Sequence, residues 1–426
     1  MLALLLLCWF AGVVTSAVDT CLAVQREPKL PQCQALSSRH HAEHQRLLHS
    51  ISRSHGRWNN KHPRWAILEA LHGYDRYREI AGAEIDRFED LYKHVPKKHK
   101  KILESTIQYQ NNFQEARTLL DHNAKTCQAI VENGLALYNI TRAELNTFIT
   151  ESDNVEKKHR DNKHRVLRTH TSHALKHVVR DWSRDSHAER QATFPYILDC
   201  LSHHLDLTQP TNILIPGAGL GRLAHEISHL SPTVTTTSNE KDAYMNLAYH
   251  YLTSPTHSSP SSLNFSLHPY LESWSHARSR ASLYRSVQIP DSHLSLNAPN
   301  LLVEGDFTTA FSYQPATYDA VVTLFFIDTA RNLVQYFETI AELLKPGGLW
   351  VNVGPLLYGS APFVQLSLDE VLLVAREMGL EVEYRAEREV MYDFGAGNMH
   401  RNGYVAQYWV ARKVSGEAEK GKGWWS

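Results

Sequence analysis

The sequence predicts an α/β protein in which a parallel sheet with crossover helices follows an N-terminal helical domain. Three observations predict it. Residues 37–207 space their apolar side chains three and four apart, as amphipathic helices do. After Pro210, short β-branched runs alternate with helical segments. One of those runs leads into three glycines at alternate positions, "NILIPGAGLGRL", Asn212 to Leu223. At 426 residues the chain can hold two domains. Its 42% hydrophobic and 21% charged content is that of a globular protein, and a net charge of −1 gives no general affinity for nucleic acid or an anionic membrane.

The first element is "MLALLLLCWFAGVVTSAV", uncharged until Asp19 and short for a membrane span. Residues 1–17 read as a secretory signal peptide cleaved near Ala17, although basic residues before the apolar core are missing. An uncleaved anchor or a misplaced start are the alternatives. In an oxidising lumen Cys21, Cys33, Cys127 and Cys200 would allow three pairings, and two sequons, at Asn139 and Asn264, would fit that compartment.

"RWAILEALHGYDRYREIAGAEIDRFEDLYKHV" predicts a helix pair ended by Pro96. "KKHKKILESTIQYQNNFQEARTLLDHNAKTCQAIVENG" resumes the pattern, with Gly134 as its expected C-cap. "TESDNVEKKHRDNKH" is a linker or an exposed helix face, and helices are expected over "SHALKHVVRDWS" and "AERQATFPYILDCLSHHL". In the second domain, residues 208–413, strands fit "NILIPG", "TVTTTSN", "LLVEGD", "YDAVVTLFFID" and "GGLWVNVGP". Helices fit "RLAHEISHL", "DAYMNLAYHYL", "ARNLVQYFETIAELL" and "LSLDEVLLVAREMG". The last opens on a Ser367/Glu370 capping box and closes at Gly379. "EVEYRAER" and "GYVAQYWVARK" pair antiparallel, residues 254–300 form a Ser/Pro/His-rich insertion, and residues 414–426 read as a disordered tail.

A strand, a glycine turn and a helix make a cofactor cradle, because glycine lets backbone N–H groups approach a ligand. The glycines here are Gly217, Gly219 and Gly221. Arg222 takes the third glycine position of a dinucleotide loop and would crowd helix–strand packing there, which argues against a nicotinamide-dependent dehydrogenase. Glu240 ends the next strand, where a carboxylate can accept both ribose hydroxyls; its alternative role is a helix N-terminal acid. Asp306 and Phe307 in "EGDF" can cap and stack an adenine, or serve only as a turn and a core aromatic. With "LKPGG" and the final hairpin, these parts resemble the Rossmann-like, seven-stranded sheet of class I S-adenosylmethionine-dependent methyltransferases.

The resemblance narrows further. "NILIPGAGLGRL", "VVTLFFIDTARN", "LKPGGLWVNVGPLLYG" and "VRDWSRDSHAER" resemble the carnosine N-methyltransferase family from about Trp65 to Lys413. The resemblance implies methylation of an imidazole nitrogen of a histidine-containing dipeptide such as carnosine, with S-adenosylmethionine as cofactor. It implies cofactor contacts at Arg180, Gly217, Gly219, Glu240, Asp306 and Phe307, and at the positions of His177 and Leu324, where the family has glutamine and cysteine. Asp328 would hold the substrate imidazole, fix its tautomer and stabilise the charge that grows on the ring. Without the resemblance, an N-cap for the following helix is the simpler role for Asp328. Tyr404 would contact substrate. Gly359 replaces a family substrate histidine, so a non-catalytic S-adenosylmethionine-binding protein is the alternative function. The expected partner is a small peptide, not nucleic acid or a membrane, with a homodimer left open. The family implies cytosol and nucleus, whereas residues 1–17 imply the secretory pathway. His40 and His44 lie one helical turn apart, but no third ligand accompanies them; a solvated helix face is expected and no metal.

Overall fold

The computed structural model describes residues 37–254, 264–291, 300–359, 361–392 and 398–414. The signal-like start, Cys21, Cys33, parts of the insertion and the tail after Val414 lie outside the described residues.

Eight α-helices precede the sheet among the described residues: α1 (Ser38–Ser50), α2 (Pro63–Asp75), α3 (Tyr77–Lys93), α4 (Lys97–Ile107), α5 (Asn111–Leu137), α6 (Arg142–Asp153), α7 (Lys157–Trp182) and α8 (His187–His204). Pro63 starts α2 at a position whose N–H has no helical partner. Thr141 caps α6 by accepting from the Glu144 N–H. The run after Pro96 is two helices, because Gln108 adopts a left-handed φ of 51° between α4 and α5. Gly134 is not a C-cap: α5 continues to Leu137. A Cβ at Gly134 would drive into the Leu247 side chain, so this glycine allows a close helix crossing. "TESDNVEKKHRDNKH" is the end of α6 and the start of α7.

The second part runs β1 (Thr211–Pro216), α9 (Arg222–Ser228), β2 (Val234–Glu240), α10 (Ala243–Leu252), β3 (Phe265–Leu267), α11 (Arg280–Leu283), β4 (Val287–Ile289), β5 (Leu301–Glu304), α12 (Phe307–Ala310), β6 (Tyr318–Leu324), α13 (Leu333–Leu343), β7 (Leu344–Gly354), α14 (Leu368–Glu377), β8 (Leu380–Met391) and β9 (Gly403–Lys413). The seven-stranded order is β5-β2-β1-β6-β7-β9-β8. Strands β5, β2, β1, β6 and β7 are parallel, and β9 pairs antiparallel with both β7 and β8. This is the expected mostly parallel sheet with a terminal hairpin. The Ser367/Glu370 capping box forms, and Gly379 takes φ 78° behind α14.

Ile197, Leu201, Leu223 and Ile227 of α8 and α9 cover one sheet face. Phe337, Ile340 and Val371 of α13 and α14 cover the other with Trp350 and Trp409. From residue 37 on, the helical and sheet parts cluster as one unit. Leu247 and Leu252 of α10, and Leu267, Val287 and Ile289 of the β3–β4 hairpin, join the core of the N-terminal helices. The insertion therefore contributes structure as well as loop. No helix of the described residues is long and apolar enough to cross a membrane. Cys127 and Cys200 are not joined to each other, and the sequon asparagines Asn139 and Asn264 are exposed.

The helix face bearing His40 and His44 is not merely solvated. His40 Nε2 donates to the Asn300 carbonyl and His44 Nε2 to the Leu137 carbonyl, each at 3.0 Å, which docks α1 on the sheet edge and the end of α5.

Candidate active site

In an open α/β sheet, ligands bind beyond the carboxyl ends of the strands where the order reverses. Here those ends are Pro216, Glu240, Glu304 and Leu324. Gly217, Gly219 and Gly221 all have positive φ, 64°, 55° and 73°, which L side chains rarely adopt. A Cβ at Gly217 would overlap the Phe326 ring, and one at Gly221 would lie 2.6 Å from Tyr249. Among the described residues only Asp181 comes near Gly219, at 3.7 Å. The loop therefore seals its flanks and opens at its centre.

Two cavities of about 250 and 480 Å³ adjoin there, sharing Gly217, Glu240 and Phe325. His177, Arg180, Gly219 and Leu324 line the first, and Asp306 and Phe307 the second. Eight predicted residues are thus brought to one cleft from α7, the glycine loop and the tips of β2, β5 and β6.

Glu240 Oε2 accepts the Gly219 N–H at 2.9 Å, and Oε1 accepts those of Lys241 and Asp242 at 2.8 Å. Burial pushes its pKa up to about 7, against the pull of those N–H donors. Oε1 has two donors and Oε2 one, so acceptor capacity remains toward the cleft. Asp306 caps α12 through the Thr308 N–H and pairs with Lys241 Nζ at 2.7 Å. Burial works against ionisation of Asp306, but the bonds from Lys241 and Thr308 win and hold its pKa low. Phe307 is buried against Phe326 and Tyr336, so it is a core aromatic that also borders the cleft.

Arg180, near the end of α7, pairs with Glu189 Oε1 at 2.6 Å and donates to the Tyr392 hydroxyl at 2.8 Å. Its guanidinium lies 4.3 Å from the Tyr392 ring centroid. His177 is buried beside His173, and burial, Arg180 and His173 together hold its pKa well below the usual value, so the ring is neutral. Asp181 Oδ2 accepts the Leu220 N–H at 3.1 Å, tying α7 to the glycine loop. Arg222 turns away from the sheet, toward Asp291 at 2.6 Å and the Trp182 ring at 4.9 Å, and so does not crowd the strand as its position suggested. Asp291 also binds Arg190 at 2.5 Å, so the insertion braces the same junction.

Asp328, Gly359 and Tyr404 line neither cavity. Asp328 is buried in a 3-10 turn, Ile327–Thr329, and Oδ2 accepts the Leu357 N–H at 2.8 Å. It does not cap α13, whose N-cap is Asn332. Burial raises its pKa, and the Leu357 N–H opposes that shift. Its neighbours Phe326 and Thr329 do line the larger cavity. Gly359 is exposed, with no heavy atom of the described residues beyond its chain neighbours within 4 Å of a Cβ placed there. The Tyr404 ring is half-buried, 6.2 Å from Phe325 and 6.1 Å from Tyr392.

Sequence reasoning missed Asp181, Glu189, Tyr392 and Phe325. Two of these carry a signal: Asp181 and Glu189 sit in "VRDWSRDSHAER", the stretch that also carries Arg180. Phe325 carries none. It lines both cavities and takes a left-handed φ of 51°, an uncommon conformation for a bulky residue.

Residues 157–415 match the family model described as carnosine N-methyltransferase. The carnosine N-methyltransferase of Schizosaccharomyces pombe is 30% identical over 371 residues, covering 81% of this chain and 95% of that protein. That of Mus musculus is 28% identical over 365 residues, covering 82% and 85%. The chain belongs to the carnosine N-methyltransferase family.

Proposed function

We propose that this protein transfers the methyl group of S-adenosylmethionine to an imidazole nitrogen of a small histidine-containing dipeptide of the carnosine class. The observation that carries this is the cleft at the strand tips of a family member. There, positive-φ glycines face a carboxylate that keeps acceptor capacity, beside a clamped arginine.

The residues present fit the cofactor. The open centre of the glycine loop, where a Cβ at Gly219 would protrude into the cleft, admits close approach of a ligand. Glu240 would accept the ribose hydroxyls, Asp306 and Phe307 would flank the adenine, and Arg180 would face the carboxylate of the methionine end. The cofactor supplies a methyl group on a sulfonium, and such a transfer needs mainly a near, in-line, unprotonated nucleophile.

A neutral imidazole qualifies at pH 7, since its ordinary pKa is about 6.5. Asp328, anchored by the Leu357 N–H, would accept one ring N–H and leave the other nitrogen unprotonated for attack. As methylation places positive charge on the ring, the same carboxylate would stabilise it. Phe325, Tyr392 and Tyr404 form an aromatic cluster beside the smaller cavity that would offer π faces to a cation.

Asp328→Asn tests the proposal, since asparagine can still accept from Leu357. We expect kcat/KM with carnosine to fall about 100-fold or more while the cofactor dissociation constant stays within twofold. Unchanged kcat and KM would remove Asp328 from the chemistry.

A further inference from the structure

The N-terminal helices hold a second cluster that the cleft does not use. His72 lies in the last turn of α2, Asp153 ends α6 and His164 stands early in α7. Asp153 Oδ1 is 3.0 Å from His164 Nε2 and 3.9 Å from His72 Nε2. All three ligand atoms lie within 4.8 Å of one another, and the imidazole rings are turned 88° apart. His72 is fully buried, yet neither of its ring nitrogens has a hydrogen-bond partner among the described residues. A buried polar group left that way needs an explanation.

We propose that His72, Asp153 and His164 bind a Zn²⁺ ion, with water completing a four-coordinate site. Zinc bonds of about 2.0–2.1 Å at tetrahedral angles place ligand atoms roughly 3.3 Å apart. The observed separations bracket that value, so closure takes side-chain adjustments of about 1 Å. Two imidazoles and a carboxylate suit zinc and disfavour the all-oxygen cations magnesium and calcium. Burial lowers the His72 pKa to about 4, against Asp153, so its lone pair is available at neutral pH; Lys163, His164 and Arg76 push the same way as burial. The Asp153 and His164 side chains are 27% and 21% exposed, which gives the ion an entry path and the water a place. The hydrogen bond between Asp153 and His164 alone would leave His72 with nothing, whereas the ion takes its Nε2. Such a site would tie α2, α6 and α7 together, and α7 carries His177 and Arg180 at its far end. The proposal is independent of which substrate the cleft accepts.

The test uses the full chain stripped with EDTA, then titrated with Zn²⁺ against a chromophoric chelator and with Co²⁺ followed by visible absorption. One tight equivalent of Zn²⁺ is expected, with a rise in Tm and the Co²⁺ bands of a four-coordinate nitrogen–oxygen site. Asp153→Asn and His164→Gln should each weaken Zn²⁺ at least tenfold while circular dichroism stays unchanged. His159→Gln, at a 74% exposed position on the same helix, should change nothing. Binding below one equivalent, or binding that survives both ligand variants, would overturn the site, the latter marking adventitious uptake by other histidines.

Discussion

As the proposed acceptor of the ribose hydroxyls, Glu240 would make cofactor affinity depend on pH. Its carboxyl has a pKa of about 7 in the folded protein, set by burial against three backbone N–H donors. Ribose hydroxyls donate to the ionised form, so a bound ribose favours deprotonation and affinity rises with pH through 7. With pKa 7, about a tenth of the sites are ionised at pH 6 and about nine-tenths at pH 8. Affinity should therefore fall about tenfold from pH 8 to pH 6. The probe is 5′-methylthioadenosine, which keeps the ribose and lacks a titrating amino acid, measured by isothermal titration calorimetry. Glu240→Gln replaces one acceptor oxygen by an NH₂ group. That group would face either the Gly219 N–H or those of Lys241 and Asp242, donor against donor. A loss of about 2 kcal/mol, roughly 30-fold in Kd, and a flat pH profile are expected. A wild-type Kd that does not change between pH 6 and 8, or a Glu240→Gln protein that keeps the tenfold change, would refute the assignment.

Two other perturbations are as direct. Gly359→His has open space to fill, and it restores the residue the family resemblance implies at a substrate contact. The KM for carnosine should drop about fivefold, the worth of one hydrogen bond, in a steady-state assay. Gly134→Ala should destabilise by about 1–2 kcal/mol in urea unfolding, because overpacking against Leu247 outweighs the gain of about 1 kcal/mol in helix propensity.

The sheet was legible because its signals are local. Alternating short strands, the capping box at Ser367 and the glycine loop each act within a few residues. The strand tips then bring Gly217, Glu240 and Asp306 together as a consequence of topology, so much of the cleft was legible with them. What escaped was decided by distant partners. A glycine late in a helix looks the same whether it caps the helix or admits a neighbour, and only Leu247 distinguishes the two at Gly134. Arg222 looked too large for its loop because Asp291, which draws it away, comes from an insertion far along the chain. His40 and His44 carry no hint that the carbonyls of Asn300, just before β5, and Leu137, at the end of α5, wait for them. His72, Asp153 and His164 come from three helices, with no ligand spacing to announce them.

Asp328 shows the limit most plainly. Its place after the fourth parallel-strand run was readable, but its bond to Leu357 depends on how the loop after β7 folds back. That bond makes the acid an anchored group near the cleft rather than a helix cap.

In the proposed reaction a methyl group passes from S-adenosylmethionine to a ring nitrogen. Incubating the protein with carnosine and cofactor labelled with ¹³C in the methyl group, then locating the label by long-range carbon–proton NMR correlations, measures this directly. A single N-methyl signal correlated with imidazole ring protons is expected, formed in step with S-adenosylhomocysteine. A label on the terminal amine, or no transfer to carnosine or any histidine-containing dipeptide by protein that binds the cofactor, would contradict it.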